Sequence, residues 1–415
     1  MIMHNDMEED LIPKTWSKRG NIITVIGVGG GGSNAVSYMF SQDIKDVDFV
    51  ICNTDLQALE ISPVPRKLQL GPLTTKGLGA GTDYMVGRKA AQESIEEIGK
   101  LFNEDTQMAF ITCGMGGGTG TGAAPVVAQV AKEKGLLTVG VVTIPFRDEG
   151  IEGLYRAVEG IKELSKHVDS LLIIDNQKLY SLFANLDAFS AFPKADDVLA
   201  TAVKSIAEII TSRGYINVDF ADVKKIMQNS GMAIMGIGSA EGEDRAIKAV
   251  EEAFSSPLLN DLNLENVKNA LVNITSSSET GKAITMDELS TIMDYVKNYT
   301  GQMANFKRGI VKNDEIGDRI SVTIVATGFD LTELPVIDQD SVSRGSRIEV
   351  KAGDISKIRK HGVPLLNVED KMVNKARVAG CPALITEDAA LLEKLEREPA
   401  YNRRVKMLNT PKETE

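Results

Sequence analysis

A glycine cluster near residue 115 constrains the fold of this chain more than any other feature. Residues 108–113 form an apolar run typical of a buried strand, and residues 114–122 then place six glycines in nine positions. Each glycine costs roughly 0.5–1 kcal/mol of backbone entropy. Because a turn needs only one or two, we expect the cluster to wrap a ligand with its backbone amides. Thr119 and Thr121 add hydroxyl donors suited to phosphate, and a loop that binds nothing is the alternative.

A second glycine-rich segment follows the first predicted strand. Residues 22–27 form a β-branched run, and residues 27–32 satisfy the pattern G-x-G-x-x-G before a helix that opens at Ser33. Glycine lets the backbone approach phosphate oxygens, and a helix N-terminus adds oriented N–H groups. A tight structural turn explains the same pattern, so this loop alone leaves both interpretations open. The sequence lacks G-x-x-x-x-G-K-[ST], which excludes a P-loop enzyme.

The alternation of strands and helices predicts an α/β fold. It favours a mostly parallel sheet with helices on both faces, and such sheets bind ligands at the carboxyl ends of their strands, where both glycine loops lie. After Gly238 the pattern changes to that of a smaller α+β domain. The predicted strands of the first part are 22–27, 47–52, 108–113, 136–143 and 170–174, and its predicted helices are 123–134, 154–167 and 196–211.

Composition excludes several functional classes. Lysine and arginine number 46 against 58 acidic residues, and the net charge of −12 argues against a general binder of nucleic acid or anionic membranes. Three cysteines and three histidines do not suit a disulfide scaffold or a zinc module. No run approaches the roughly 18 apolar residues of a membrane helix, and the acidic N-terminus is unlike a secretory signal. We therefore expect a cytoplasmic protein without direct membrane insertion.

Five segments together resemble one protein family, the bacterial cell-division GTPases related to tubulin (the tubulin/FtsZ family). The resemblance runs from about residue 20 to 330, and the glycine cluster matches the signature loop of that family. The five segments are GVGGGGSNAV (27–36), NTD (53–55), GLGAG (77–81), GMGGGTGTGAAPVVA (114–128) and NVDFADV (217–223).

The resemblance implies a domain organisation around a Rossmann-like GTPase domain with a parallel sheet. A long central helix leads from it to a catalytic loop and to a smaller α+β C-terminal domain, followed by a linker and a docking peptide. The implied boundaries are 1–20 for a disordered N-terminal extension, 21–195 for the GTP-binding domain, 196–230 for the central helix and catalytic loop, 231–330 for the C-terminal domain, 331–394 for the flexible linker and 395–415 for the docking peptide and tail.

The resemblance also implies the nucleotide-binding residues. The two glycine loops would hold the phosphates of GTP or GDP from two sides, and Mg²⁺ would bind mainly through those phosphates, with no protein side chain assigned as a metal ligand. Asp196 would accept from both N1–H and the exocyclic amine of guanine; without the resemblance, a helix-starting acid explains it equally well. The implied residues are Gly30, Gly31, Gly32, Ser33, Asn34, Gly117, Gly118, Thr119 and Gly120 at the phosphates, Ala80 and Gly81 at the γ-phosphate, Glu149 at the ribose, and Asn176, Phe192 and Asp196 at the base.

The sequence departs from the family at one place. Members usually carry Phe-Glu-Gly-x-x-Arg, with the arginine near phosphate. Here Glu149 matches the glutamate, but Gly153 occupies the arginine position. Arg147 and Arg156 are the nearest arginines, and Arg156 reaches inward only if the start of its helix is remodelled. The departure bears on nucleotide affinity or hydrolysis rate and not on the fold.

Residues 217–222 contain the predicted catalytic acids. By themselves they favour a helix start, with Asn217 or Asp219 as the N-cap of a helix over 222–228. The resemblance implies instead that Asp219 and Asp222, positioned by Asn217, enter the next subunit's pocket and orient the attacking water in trans. Such a head-to-tail contact does not close, so it generates filaments. The implied role is an assembly-dependent GTPase that forms the cytokinetic ring scaffold at midcell.

The tail resembles the docking peptide of the family. From Glu398 to Arg404 it combines an acid with Pro399, Tyr401 and two arginines. The motif implies contact with membrane-tether and other division proteins through an aromatic anchor and charge complementarity. An exposed tail without function is the alternative.

Two other functions stay open at the level of sequence. A Rossmann dehydrogenase would use the same first glycine loop, with Asp55 as its ribose acid, but it leaves the signature loop unexplained. A structural paralogue that binds nucleotide without hydrolysing it is suggested by Gly153.

Overall fold

The structure is a computed structural model that describes residues 20–42, 44–178, 187–211, 219–256, 267–300, 305–329, 377–378 and 381–382. The chain divides into two compact units, Met1–Arg344 and Gly345–Glu415. In the second unit the described residues form one antiparallel pairing, Arg377–Val378 with Cys381–Pro382. Predictions for the N-terminal extension, Asn217, the docking peptide and most of the linker lie outside the described residues. Within those residues, no helix combines the length and apolarity needed to cross a membrane.

One ten-stranded sheet forms the framework of the first unit. Its order is β3-β2-β1-β4-β5-β6-β7-β10-β8-β9. Strands from β3 to β7 pair in parallel, β10 is antiparallel to β7 and β8, and β9 is parallel to β8. The strands are β1 (Ile23–Val28), β2 (Val47–Asn53), β3 (Arg66–Gln69), β4 (Met108–Gly114), β5 (Leu137–Ile144), β6 (Ser170–Asp175), β7 (Gly231–Ala240), β8 (Asn269–Ser276), β9 (Asn305–Lys312) and β10 (Ile320–Phe329).

Helices connect the parallel strands and cover both faces of the sheet. The 24-residue helix α8 is about 36 Å long and returns the chain from the carboxyl edge of the sheet to its amino edge. The described helices are α1 (Gly29–Ser41), α2 (Leu56–Ile61), α3 (Pro72–Thr75), α4 (Tyr84–Glu93), α5 (Ile95–Gly99), α6 (Thr119–Glu133), α7 (Ile151–Ser165), α8 (Ala188–Thr211), α9 (Phe220–Met227), α10 (Arg245–Phe254) and α11 (Met286–Thr300).

The hydrophobic core lies on both faces of the sheet. Successive residues of a strand point to opposite faces. Ile23 and Val25 of β1 therefore pack with α1 and α8, whereas Ile26 and Val28 pack with α6 and α7. A third cluster joins α10 and α11 to β7, β8 and β10. Burial on both faces explains why the parallel strands are continuous apolar runs.

The predicted α/β class with a mostly parallel sheet is confirmed, but several helix starts differ from the prediction. Helix α1 begins at Gly29 instead of Ser33, α6 at Thr119 instead of Ala123, and α8 at Ala188 instead of Asp196. Glycine has low helix propensity, so a pattern places helix starts after glycine runs. Here tertiary packing forms the first turns of α1 and α6 from the glycines themselves.

Candidate functional site

A cavity of about 570 Å³ opens at the carboxyl edge of the parallel strands. It collects most of the residues predicted to bind nucleotide, although Gly32, Ser33, Asn34 and Asp196 are not among the residues that line it. The side chain of Phe192 lies outside the described residues. The predicted residues that line the cavity are Gly30, Gly31, Ala80, Gly81, Gly117, Gly118, Thr119, Gly120, Glu149 and Asn176.

The first glycine loop forms the start of α1. Gly30 and Gly31 lie in the first helical turn, where backbone N–H groups have no partner within the helix. A Cβ placed on Gly30 would meet no described atom within 4 Å, so packing does not require glycine there. The nearby Ser33 is buried, and its hydroxyl has no hydrogen-bond partner among the described residues. Free N–H groups, a free hydroxyl and open space together suit a bound anion.

The signature loop, residues 114–122, consists of a bend and a helix start. Its last four residues form the first turn of α6 and are buried. Thr121 does not face the cavity: its Oγ1 accepts a hydrogen bond from the N–H of Gly116 at 2.8 Å and braces the bend. Thr119 does line the cavity, with its hydroxyl 2.6 Å from that of Thr54. The prediction that both threonines serve a phosphate therefore needs correction at Thr121.

Only some glycines of the signature loop are free for a ligand. A Cβ on Gly118 would overlap the carbonyl oxygen of Gly81, and one on Gly122 would overlap that of Tyr84, so these glycines allow close backbone packing between α6 and the segment around α4. Gly117 is different, because it lines the cavity and a Cβ there would meet no described atom within 4 Å. The glycine count thus reflects both helix packing and a binding surface.

The loop after β2 is one of the five segments that resemble the family, but neither Asn53 nor Asp55 is among the implied GTP-binding residues, although both line the cavity. The buried Asn53 side chain accepts hydrogen bonds from the N–H groups of Thr54 and Asp55, at 2.8 and 3.3 Å, and so shapes the loop. Asp55 caps α2 by accepting from the N–H groups of its first turn. A polar triplet directly after a buried strand was the available signal, because the carboxyl ends of neighbouring parallel strands meet at one edge.

The residues predicted to select the base lie at the end of β6 and near the start of α8. Asn176 lines the cavity, and its buried Oδ1 has no hydrogen-bond partner among the described residues. Asp196 lies beside Asp197, which accepts a hydrogen bond from the Tyr38 hydroxyl of α1 at 2.9 Å. Burial raises the pKa of Asp196 to about 6. A partner that donates hydrogen bonds to the carboxylate would offset this loss of hydration.

The start of α7 contains the position where the sequence departs from the family. A 3₁₀ turn, Arg147–Glu149, and Gly150 at φ +98° precede the helix. Glu149 lines the cavity, and its Oε1 accepts from the N–H of Phe146 at 2.9 Å. Arg147 lies 3.7 Å from Asp175. The Nε of Arg156 donates to the carbonyl of Gly116 at 2.7 Å, so this arginine reaches the signature loop, although it is not among the residues that line the cavity.

The predicted catalytic acids lie at the opposite, amino edge of the sheet. Asp219 is the N-cap of α9 and accepts from the N–H of Asp222 at 2.7 Å, as the helix-start interpretation predicts. Asp222 forms an ion pair with Lys307 of β9 at 2.6 Å. Helix α9 leads into β7, whose first residue pairs with Ser170 at the start of β6. Strands of this length separate the two edges by about 20 Å, so a subunit cannot bring these acids into its own cavity.

The cavity suits phosphate through its backbone. Its charged lining residues, within the described parts of the chain, are the acids Asp55 and Glu149, and no lysine or arginine lines it there. The first turns of α1 and α6 supply N–H donors and the positive ends of two helix dipoles. Among the described residues no group of three or more His, Cys, Asp or Glu is placed to hold a metal ion.

Comparison with known proteins finds relatives over most of the chain. The profile of the tubulin/FtsZ family, GTPase domain, matches residues 22–184, and that of the FtsZ family, C-terminal domain, matches residues 231–330. The cell division protein FtsZ of Pseudomonas aeruginosa is 47% identical over 333 residues, which are 80% of this chain and 83% of that protein. The FtsZ of Porphyromonas gingivalis is 39% identical over 410 residues, 96% of this chain and 89% of that one. A solved empty FtsZ dimer of M. jannaschii matches with a TM-score of 0.70 at 40% identity, covering 76% of this chain and 90% of that one.

Proposed function

This chain belongs to the FtsZ family of tubulin-related GTPases, and from that premise we propose that it hydrolyses GTP at the junctions of head-to-tail filaments, where one subunit completes the active site of the next. GTP hydrolysis, filament formation and a part in cell division come with the family. The division of the active site between two subunits, and the residues that carry it, are the proposal.

The observation that carries this proposal is the separation of the two halves of the site. The cavity lies at the carboxyl edge of the sheet, whereas Asp219 and Asp222 lie at the amino edge. Stacking identical subunits in one direction brings the amino edge of one molecule against the carboxyl edge of the next. This contact is heterologous and open-ended, so it extends into a filament. Hydrolysis then depends on assembly.

Exposed apolar side chains in the segment 73–78, which leads into the cavity lining, support a subunit contact at this edge. Leu73 and Leu78 are 81% and 86% exposed, and Leu78 lines the cavity. Large apolar side chains grouped at the rim of a polar site are typical of an interface. In a filament they would be covered by the amino edge of the neighbour.

GTP fits the cavity through its phosphates. N–H groups of the first turns of α1 and α6 would hold the α- and β-phosphates, and Ala80 and Gly81 would lie at the γ-phosphate, so that the segment before α4 senses its presence. Glu149 would contact the ribose. Magnesium, bound mainly through the phosphate oxygens, would supply positive charge that offsets repulsion from Asp55 and Glu149.

Base selection would depend on a buried carboxylate. Asp196, with Asn176 and Phe192 near it, would accept from N1–H and the exocyclic amine of guanine. Adenine lacks this donor pair and would leave the buried acid unpaired, which costs a few kcal/mol.

The acids of the neighbouring subunit would orient the attacking water. The exposed carboxylate of Asp219 and the lysine-paired carboxylate of Asp222 would accept hydrogen bonds from a water placed in line with the γ-phosphate. Asn217, outside the described residues, would help to position this loop. Supplying the acids in trans keeps them away from the phosphates of a free subunit, where they would repel the nucleotide.

The ring-scaffold role would require a connection to the membrane at midcell. Glu398, Pro399, Tyr401 and Arg404 belong to the peptide that would provide it by docking on tether proteins, with the rest of the filament in the cytoplasm. Removing residues 398–404 should leave GTP turnover unchanged and abolish recruitment to tether-coated vesicles.

Phosphate release measured against protein concentration tests the shared active site. The wild-type protein should show a sharp onset above a critical concentration and be nearly inert below it. Asp219→Ala should bind GTP and turn it over slowly at every concentration. Asp294→Ala removes an exposed acid of α11 and should behave as wild type. Full hydrolysis by dilute, unassembled protein would contradict the proposal.

A further inference from the structure

We propose that Arg156 is a positioning residue for nucleotide phosphate: it holds the carbonyl of Gly116 so that the N–H of Gly117 is directed into the cavity. The inference rests on the proposed function, because it concerns the same nucleotide site. It gives a role to Arg156, which is not a motif position of the family. Members usually carry an arginine three residues earlier, at the position that Gly153 occupies here.

Gly116 is held from both sides. The guanidinium Nε of Arg156 donates to its carbonyl oxygen at 2.7 Å, and its own N–H donates to Thr121 at 2.8 Å. The Arg156 side chain is only 24% exposed, and a charge-assisted hydrogen bond there is stronger than one between neutral groups. The other close contact of Arg156 is Glu152 at 3.9 Å, which is 89% exposed and contributes little.

The geometry of a peptide group links this contact to the cavity. The C=O and N–H of a trans peptide point in opposite directions. Fixing the Gly116 carbonyl toward Arg156 therefore turns the N–H of Gly117 away from it. Met115 and Gly117 line the cavity, whereas Gly116 does not. Because Gly116 has φ +102° and is followed by two further glycines, its peptide group can rotate at low cost, and the loop needs an outside contact to select one orientation.

The cavity depends on that N–H because the charged residues found to line it are acidic. Gly153 leaves room for this arrangement. A Cβ on Gly153 would lie 3.9 Å from Nη2 of Arg156, which is an ordinary contact, whereas a longer side chain would compete with the guanidinium for the same space. Gly153 and Arg156 thus act together. Gly153 leaves space, and the guanidinium of Arg156, in the second turn of α7, acts on the nucleotide site through the Gly116–Gly117 peptide group.

Nucleotide binding by Arg156→Met tests the role, with Arg147→Met as the matched control, since Arg147 is 60% exposed and pairs with Asp175. Affinities for guanosine, GMP and GDP are measured by displacement of a fluorescent GDP at protein concentrations below assembly. For Arg156→Met the affinity for GDP should fall by about tenfold or more, a typical consequence of losing a charged hydrogen bond. Guanosine affinity and the unfolding temperature without nucleotide should change little, and Arg156→Lys should restore part of the loss.

Three outcomes separate the inference from the function on which it rests. An unchanged GDP affinity in Arg156→Met would overturn the inference. So would an equal loss for guanosine and GDP, because that pattern indicates general damage to the fold. If the wild-type protein binds no guanine nucleotide at all, the proposed function itself is wrong, and the inference falls with it.

Discussion

Gly30 is a position where packing does not require glycine, so we attribute its glycine to the proposed phosphate site. It lies in the first turn of α1 without a positive φ, and a Cβ there meets nothing among the described atoms. Alanine is the better helix former. We therefore expect Gly30→Ala to raise the free energy of unfolding by about 0.5 kcal/mol and to weaken GDP binding severalfold, because the methyl group would occupy the space proposed for the phosphates. Denaturant unfolding and GDP titration measure the two effects.

Gly99→Ala is the control for this substitution. Gly99 ends α5, and its Cβ would lie at an ordinary 3.7 Å from Lys134, remote from the cavity lining. It should preserve GDP affinity. Destabilisation of Gly30→Ala, or unchanged binding, would show that Gly30 is a packing glycine.

The buried, ionised carboxylate of Asp196 lowers the free energy of unfolding, and a bound guanine base should remove this cost. Its pKa of about 6, raised by burial, exceeds the unfolded value of about 3.9. Between these values the folded state binds a proton that the unfolded state does not, so the free energy of unfolding falls as pH rises through this window. At pH 7.5 the cost is fully present and on the order of 2 kcal/mol.

Asp196→Asn should therefore be more stable than wild type at pH 7.5 without nucleotide, and the gain should disappear below about pH 4. The same variant should lose its preference for GTP over ATP. In the wild type, GDP affinity should fall as the pH drops through about 6, because the base needs the ionised carboxylate. Urea titrations at two pH values and paired nucleotide titrations measure these effects. A destabilised variant that still prefers GTP would count against the assignment of Asp196.

At single residues, sequence predicts which glycines and acids line the cavity more reliably than it predicts the contacts that each one makes. Gly30, Gly117 and Glu149 line the cavity as the motifs indicate. Thr121 turns inward to the loop, a direction that depends on the φ of Gly116 and not on the motif. The reach of Arg156 depends on the turn before α7, which no pattern of residue types specifies.

At the scale of elements, α9 and β9 jointly present Asp222. Its carboxylate is fixed by Lys307 at 2.6 Å, with the side chains 30% and 46% exposed, so the pair adds only about 0–1 kcal/mol to stability. Lys307→Met should leave stability and GDP affinity unchanged but lower GTP turnover in filaments severalfold, because Asp222 loses its fixed orientation. Lys307→Arg should retain more activity. Phosphate release at saturating protein measures the difference.

Lys297→Met provides the matched comparison, since Lys297 forms a similar exposed pair with Asp294 on α11. It should leave turnover at the wild-type rate. Equal turnover in Lys307→Met and wild type would show that the Asp222 pair is a surface contact without a role in hydrolysis.

Elements with long apolar runs are predictable, and those with short or glycine-rich sequences are not. β1, β4 and β5 are buried on both faces and stand out as continuous apolar segments. The short α3, the strand β3 and the glycine-containing β7 carry no comparable period, because their conformation follows from neighbours that already hold them. The loop after β2 stands out as a family segment, but its place in the cavity wall follows from the strands that hold it.

At the scale of the whole molecule, the proposed division of the active site between two edges predicts that mutations can inactivate either half separately and that mixing the variants restores activity. A Cβ on Gly117 would meet no described atom within 4 Å, so Gly117→Glu should place an acid beside the proposed phosphate site, and this subunit should keep its acids but lose its nucleotide. Asp219→Ala keeps the nucleotide and loses an acid. Each variant alone should turn over little GTP. In an equal mixture, up to about a quarter of the junctions join an intact cavity to an intact acid loop, if subunits assemble at random.

The mixture should therefore hydrolyse GTP at up to about a quarter of the wild-type rate, well above the sum of the two variants measured separately. The gain should appear only above the critical concentration, because it requires contact between different subunits. Phosphate release from the separate and mixed proteins at equal total concentration measures it. An active site contained within one subunit predicts strictly additive rates, so the absence of any gain from assembled mixtures would reject the division of the site between neighbours.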